Sequence, residues 1–293
     1  VPEYCYQRLK QALSHKPGFF KECWSMRQPF SSQRGDESMF TLKKDGWYVY
    51  DQATDAWQPT GSKEFCIDLC NAGRSFNDVK DEQLKDSLPA FSGTKILCVG
   101  RNYRKHAAEL GNEVPARPLW FSKPPSAIIG SNEKVIIPAG FGQIDYEGEV
   151  CLLINKRCRN IEPAQAADYI GGVTVGFDMT ARELQKVDGQ WTRAKGFDTF
   201  LPLARQVAPY TPDWKKALLM VKLNGLVVQE STLEAMVFNL EELVADISQC
   251  MTLEAGDLLM TGTPAGVGPV KKNDVLELTL NGPCLIDLCV TCI

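Results

Sequence analysis

From residue 93 onward the chain alternates short apolar runs with glycine and proline. "KILCVG", "PLWFS", "KVIIP", "VCLLIN", "GGVTVGFD", "LLMVKLNG", "DLLMTGT", "DVLELTL" and "LIDLCV" are each five to eight residues long. Runs of this length bounded by turn formers read as strands. Helical periods are few, at 101–111, 162–170, 179–187 and 239–251. Asn239 followed by Glu242 has the spacing of an N-terminal cap. So many strands with so few helices predict an α+β, β-rich domain that closes on itself or packs as a sandwich.

The first 92 residues have a different texture. "QPFSSQRGDES" is polar and turn-rich, "MFTLKKDGWYVYD" reads as a hairpin about Asp45-Gly46, and "DVKDEQLKDSL" reads as a polar helix. Basic side chains on an apolar background in "YCYQRLKQALSHK" read as an amphipathic helix, with the remnant of a transit peptide as the alternative. None of these segments assembles a reactive constellation. The expected organisation is an N-terminal region, 1–92, followed by a main domain, 93–293.

Composition narrows the class without choosing a function. With 293 residues, 44% hydrophobic and 23% charged, the chain can bury a sizeable core. A net charge of −4 gives no footprint for nucleic acid or an anionic membrane. No apolar run is long enough to span a bilayer. Eleven cysteines are scattered, and several sit in apolar runs, such as Cys98 and Cys151. That placement suits reduced, buried thiols in the cytoplasm or mitochondrial matrix better than a disulfide framework. Cys66/Cys70 and Cys289/Cys292 have spacings compatible with zinc, but no further ligand cluster accompanies them.

Candidate chemistry begins at "IDYEGEV" (144–150), where Asp145, Glu147 and Glu149 occupy alternate positions. On a strand these carboxylates share a face and repel one another. Either a solvated edge or a bound cation accounts for them. Asp178, closing "GGVTVGFD", offers a further oxygen. His15 and His106 are the only histidines, so a metal here would take oxygen ligands, which suits Mg²⁺, Mn²⁺ or Ca²⁺. His106 and Glu109 are three residues apart in "GRNYRKHAAEL" and share a helix face. The pair is either a general base with its orienting carboxylate or a surface ion pair. Lys195, between a tryptophan and two phenylalanines in "WTRAKGFDTF", could stabilise developing negative charge or stand in solvent. Arg182 follows Asp178 by four residues; if that segment is helical, the two share a face as a carboxylate clamp or a simple ion pair. In "TGTPAGVG", Thr263 among glycines could hold an anionic oxygen, but the segment is neither a phosphate loop nor a dinucleotide fingerprint.

Taken in order, "GRNYRKHAAELG", "FSKPPSAIIG", "DYEGEVCLLI", "GFDMTARELQ", "WTRAKGFDTFLPL" and "GDLLMTGTPAGVGPV" resemble the fumarylacetoacetate hydrolase superfamily over residues 93–293. The likeness is strongest to its short-chain members: acylpyruvate hydrolases, oxaloacetate decarboxylases and the hydroxyheptadienedioate isomerase type. The resemblance implies a mixed β-roll or sandwich with few helices, usually a homodimer, behind an N-terminal region that varies among members. It implies Glu147, Glu149 and Asp178 as ligands of Mg²⁺ or Mn²⁺, with Asp145 outside that set. His106 and Glu109 match the H-x-x-E dyad, carried on a segment that folds over the site when substrate binds. Lys195 matches the site lysine, Thr263 the threonine that contacts an oxyanion, and Arg182 and Gln185 the substrate-facing positions. The implied activity is metal-dependent cleavage of a C–C bond in small 2-oxo acids, acylpyruvates or oxaloacetate, by hydrolysis or decarboxylation. An isomerase or hydratase of 2-hydroxy-dienoic diacids would use the same residues, and a non-catalytic ligand-binding protein on the same fold is the reading from another class.

Overall fold

The apolar runs bounded by glycine and proline do become strands. The computed structural model describes residues 91–293 and, before them, the backbone of three strands between residues 40 and 59. In chain order the strands begin with β1 (Phe40–Lys43), β2 (Gly46–Asp51), β3 (Ala56–Pro59), β4 (Ile96–Gly100), β5 (Leu119–Lys123), β6 (Ile128–Ile129) and β7 (Lys134–Val135). They continue with β8 (Ile144–Tyr146), β9 (Gly148–Ile154), β10 (Ile170–Phe177), β11 (Thr180–Ala181), β12 (Leu201–Pro202) and β13 (Gln206–Pro209). The last are β14 (Leu218–Leu223), β15 (Leu226–Thr232), β16 (Leu258–Met260), β17 (Gly268–Pro269), β18 (Val275–Asn281) and β19 (Leu285–Cys292).

Nine strands form a mixed sheet in the order β3-β2-β1-β13-β10-β9-β16-β4-β5, and five form a second in the order β15-β14-β18-β19-β7. The second sheet packs over the middle of the first, β14 against β9 and both β18 and β19 against β10. Burial follows from this layering. Every residue of β9 and β10 is buried, so their sequences are almost continuously apolar, whereas β18 and β19 alternate buried and partly exposed positions. Val150, Leu152, Leu153 and Ile154 of β9 are fully buried, each contributing about 1.5–3 kcal/mol relative to exposure. The hairpin expected about Asp45-Gly46 is present as antiparallel β1 and β2, with Lys43 opposite Gly46. The segments 4–16, 28–38 and 78–88, and the Cys66/Cys70 pair, lie outside the described residues.

Among the described residues there are five short α-helices: α1 (Arg104–Glu109), α2 (Pro163–Ala166), α3 (Arg182–Asp188), α4 (Thr192–Lys195) and α5 (Leu240–Cys250). α5 begins with the expected reciprocal cap, in which Asn239 Oδ1 accepts from Glu242 N and Glu242 Oε2 accepts from Asn239 N. The helix expected from residue 179 starts three residues later, because Thr180 and Ala181 pair as β11 with β8. No described helix is long and apolar enough to cross a membrane. Seven of the cysteines lie among the described residues, and five of those are buried.

Candidate active site

The acidic row is not a solvated edge. Asp145, Glu147 and Glu149 expose 4%, 4% and 1% of their surface, and Asp178 none. Glu147 occupies the link between β8 and β9, Glu149 is the second residue of β9, and Asp178 follows β10, which pairs directly with β9. Ligand oxygens of Glu147, Glu149 and Asp178 lie within 4.8 Å of one another. Gly148 between the two glutamates is dictated by packing: a β-carbon there would stand 2.3 Å from Val221 of β14.

Three buried cations frame this cluster. Lys195 Nζ donates to Glu147 Oε2 at 2.6 Å and Asp178 Oδ2 at 2.5 Å. Lys123 Nζ donates to Asp178 Oδ1 at 2.7 Å. Arg182 donates through Nε to Asp145 Oδ2 at 2.6 Å, through Nη2 to Glu147 Oε1 at 2.5 Å and through Nη1 to Gln185 Oε1 at 2.8 Å. Burial pushes the Glu147 carboxyl up, but Lys195, Arg182 and His106 outweigh it and hold the group well below the usual carboxylate range. Burial likewise pulls Lys195 down, and Asp178 and Glu147 more than reverse this, keeping the ammonium charged.

Glu149 is different. Its hydrogen-bond donor is the backbone Gly262 N at 2.8 Å, and no cation pairs with it among the described residues. Burial first, then Asp178 and Glu147, lifts its carboxyl well above the ordinary value. With all four carboxyls ionised (Asp145, Glu147, Glu149, Asp178), three cations (Lys123, Lys195, Arg182) leave one surplus negative charge, the one Glu149 resists carrying. The oxygens are hard, clustered and one positive partner short, so the residues fit a divalent cation held by Glu147, Glu149 and Asp178.

The dyad stands on α1. His106 is 4% exposed, and its Nδ1 lies 3.3 Å from Glu109 Oε2. Glu109, the last residue of the helix, also accepts from Gly266 N at 3.0 and 3.2 Å. This ties α1 to the glycine-rich turn 261–268. Gly262 and Gly266 have φ of +95° and +100°, and a β-carbon on Gly266 would fall 2.0 Å from the Val228 carbonyl oxygen, so neither position accepts another residue without strain. Tyr146 Oη braces the same turn by donating to Gly266 O at 2.9 Å; burial, then Asp145 and Glu109, push its phenol up to about 12.

The structure therefore brings eight of the nine singled-out residues into linked contact: Glu147, Asp178, Lys195, Arg182 and Gln185 in one network, Glu149 bonded to the turn, and His106 with Glu109 bonded to the same turn. Thr263, the ninth, lies in that turn and is 3% exposed. Arg182 departs from its expected pairing. Residues 178–181 are not helical, and 180–181 form β11, so the guanidinium reaches Asp145 and Glu147 instead of Asp178. Lys195 exposes 2% of its surface, with Nζ 4.9 Å from the Phe121 ring centroid and 5.9 Å from that of Trp191. Sequence reasoning missed Lys123, although it lies in "FSKPPSAIIG", and missed Asn102. The Asn102 amide donates to the carbonyls of Phe238 and Thr261 and accepts from Phe238 N, fastening the approach to α1. The sequence around Lys123 carries no signal of this role: it ends a strand whose other residues are more exposed, and only the fold buries it.

A β-sandwich holding a buried carboxylate triad beside a histidine–glutamate dyad defines the class, and sequence comparison agrees. Residues 95–290 match the family model described as fumarylacetoacetate (FAA) hydrolase, C-terminal, and the chain belongs to that family. It is 43% identical to the mitochondrial oxaloacetate tautomerase of Arabidopsis thaliana, over 65% of this chain and 87% of that one. It is 39% identical to the mitochondrial oxaloacetate decarboxylase of Dictyostelium discoideum, over 65% and 90%. The crystal structure of fumarylpyruvate hydrolase from Pseudomonas aeruginosa, in complex with Mn²⁺ and pyruvate, superposes with a TM-score of 0.65 at 27% identity, covering 75% of this chain and 94% of that one.

Proposed function

We propose that this chain is a divalent-metal-dependent enzyme that cleaves a C–C bond in small 2-oxo acids, acylpyruvates or oxaloacetate, by hydrolysis or decarboxylation. The observation that carries the reading is the buried triad Glu147, Glu149 and Asp178, one positive charge short, beside the His106–Glu109 dyad. The Mn²⁺ and pyruvate of the Pseudomonas aeruginosa enzyme, and the oxaloacetate chemistry in the names of the other two relatives, point to the same ligand class.

A Mg²⁺ or Mn²⁺ ion held by the three carboxylates would act as a Lewis acid towards the enolate left when the C–C bond breaks. With that ion the site carries one net positive charge, which suits a substrate bearing a carboxylate. Lys195 spends two of its three N–H groups on Glu147 and Asp178, leaving one for a substrate oxygen. In hydrolysis, Glu109 takes the Nδ1 proton side of His106, so Nε2 is the atom that accepts a proton from water attacking the distal carbonyl. The new C–O bond forms there, and the electron pair of the breaking C–C bond passes to the enolate. Arg182 and Gln185 hold one another and border the substrate side. Decarboxylation needs no attacking water and leaves the dyad with a smaller part.

The test is ultraviolet-monitored turnover of acetylpyruvate and oxaloacetate with Mg²⁺ or Mn²⁺ and with excess chelator. Loss of either substrate that needs the metal supports the reading; loss that survives chelation contradicts it. The name of the Arabidopsis thaliana relative favours a second reading, an isomerase or tautomerase that forms the same enolate and returns the proton elsewhere. A homodimer in the cytoplasm or mitochondrial matrix accompanies either reading; sedimentation velocity and cell fractionation check those two points.

A further inference from the structure

Gln229 lies on β15, a strand of the second sheet, and exposes 1% of its surface. Its Oε1 accepts from Gly148 N at 3.0 Å, and its Nε2 donates to Thr263 Oγ1 at 2.8 Å and Pro264 O at 2.7 Å. One buried amide thus joins the backbone between Glu147 and Glu149 to the turn that carries Thr263. Its orientation is fixed by its neighbours. A backbone N–H can only donate and the Pro264 carbonyl can only accept, so a flipped amide would set donor against donor and acceptor against acceptor. Nε2 must therefore face Thr263 Oγ1, and Thr263 must accept. A hydroxyl carries a single proton, and with Gln229 on its acceptor side that proton points elsewhere. Among the described residues no acceptor takes it.

We infer that Gln229 is a positioning residue that makes Thr263 an obligate hydrogen-bond donor to a ligand oxygen, selecting anionic carboxylate or enolate oxygens over ligand groups that would themselves donate. The inference rests on the proposed binding of a 2-oxo acid and adds what sets the polarity of one contact. Gln229 touches no substrate. It acts through Thr263, and through Gly148 it also holds the two glutamates in register.

The test is calorimetric titration of the full chain, first with Mn²⁺ and then, loaded with Mn²⁺, with pyruvate. Gln229→Glu keeps an acceptor for Gly148 N but presents an acceptor in place of a donor to both Thr263 Oγ1 and Pro264 O, so the hydroxyl proton turns away from the ligand. The expected result is pyruvate affinity weakened about tenfold, the worth of one hydrogen bond to a charged group, with Mn²⁺ affinity not reduced. Thr263→Val should cost the same, and the double variant no more than Thr263→Val alone. Pyruvate affinity unchanged in Gln229→Glu, or losses that add in the double variant, would overturn the inference. If Gln229→Glu does not fold, Gln229→Met in the same cycle decides by the same additivity. Failure of the unsubstituted protein to bind Mn²⁺ or pyruvate would instead count against the proposed function, which keeps the two apart.

Discussion

The two halves of the site are built differently. On the carboxylate side, Glu147 and Asp178 each accept from two buried cations, and Glu149 from a backbone amide, all on or beside the central strands β9 and β10. On the dyad side, a six-residue helix carries His106 and Glu109, the Glu109 side chain is 33% exposed, and Gly266 N fastens it. One half is over-determined by the sandwich core. The other is attached at its edge through a few hydrogen bonds. The chemistry divides in the same way: enolate stabilisation is common to hydrolases, decarboxylases and tautomerases, whereas activating water is needed by hydrolysis alone. A cluster fixed in the core and a dyad attached at the rim is an arrangement in which the reaction could be varied at the rim alone.

The largest expected effect falls on the core half. Glu147→Gln removes one charge from the proposed metal-binding triad and the anionic partner of Lys195 and Arg182, and turnover of any accepted substrate should fall about a thousandfold, equivalent to several kcal/mol of lost charge stabilisation. Steady-state kinetics with saturating Mn²⁺ measures it; a variant within tenfold of the parent would show that the cluster is not the reaction centre. Next comes Lys123→Met. Removing one partner of a buried ion pair leaves Asp178 Oδ1 without its cation, for a loss of about 3–5 kcal/mol in stability. Urea unfolding without metal reads this, and added Mn²⁺ should recover part of it. A smaller effect is stabilisation by the ion itself: Mn²⁺ at a hundred times its Kd should add about 2.7 kcal/mol to the parent and nothing to Glu147→Gln. Smallest is Asn239→Ala, which removes the cap of α5 far from the chemistry and should cost about 1 kcal/mol with no change in kcat.

What the sequence disclosed divides along the same line. Strands flanked by glycine and proline, the Asn239 cap and the E-x-E spacing are local patterns, so they were legible in the chain itself. Burial turned the ambiguous acidic row into a site, and burial depends on a second sheet in which β14, β15, β18 and β19 lie more than 60 residues on. Lys123 and Gln229 were not legible for that reason. Their partners Asp178 and Thr263 are 55 and 34 residues away and meet them only through sheet register and packing. Arg182 was legible as a residue but not in its pairing, because β11 keeps residues 180–181 extended and sends its guanidinium to Asp145 and Glu147. Spacing within one segment presumes a secondary structure, and there the presumed helix began too early.

The central claim is that the buried carboxylate cluster serves every reaction open to this site while the dyad selects among them. Turnover of acetylpyruvate and oxaloacetate by Glu109→Gln, beside the parent and Glu147→Gln at saturating Mn²⁺, tests it most directly. We predict that Glu147→Gln lowers both reactions about a thousandfold, and that Glu109→Gln slows acetylpyruvate hydrolysis about a hundredfold while leaving oxaloacetate turnover nearly intact. Equal losses on both substrates in Glu109→Gln, or a Glu147→Gln variant within about tenfold of the parent on either, would contradict it.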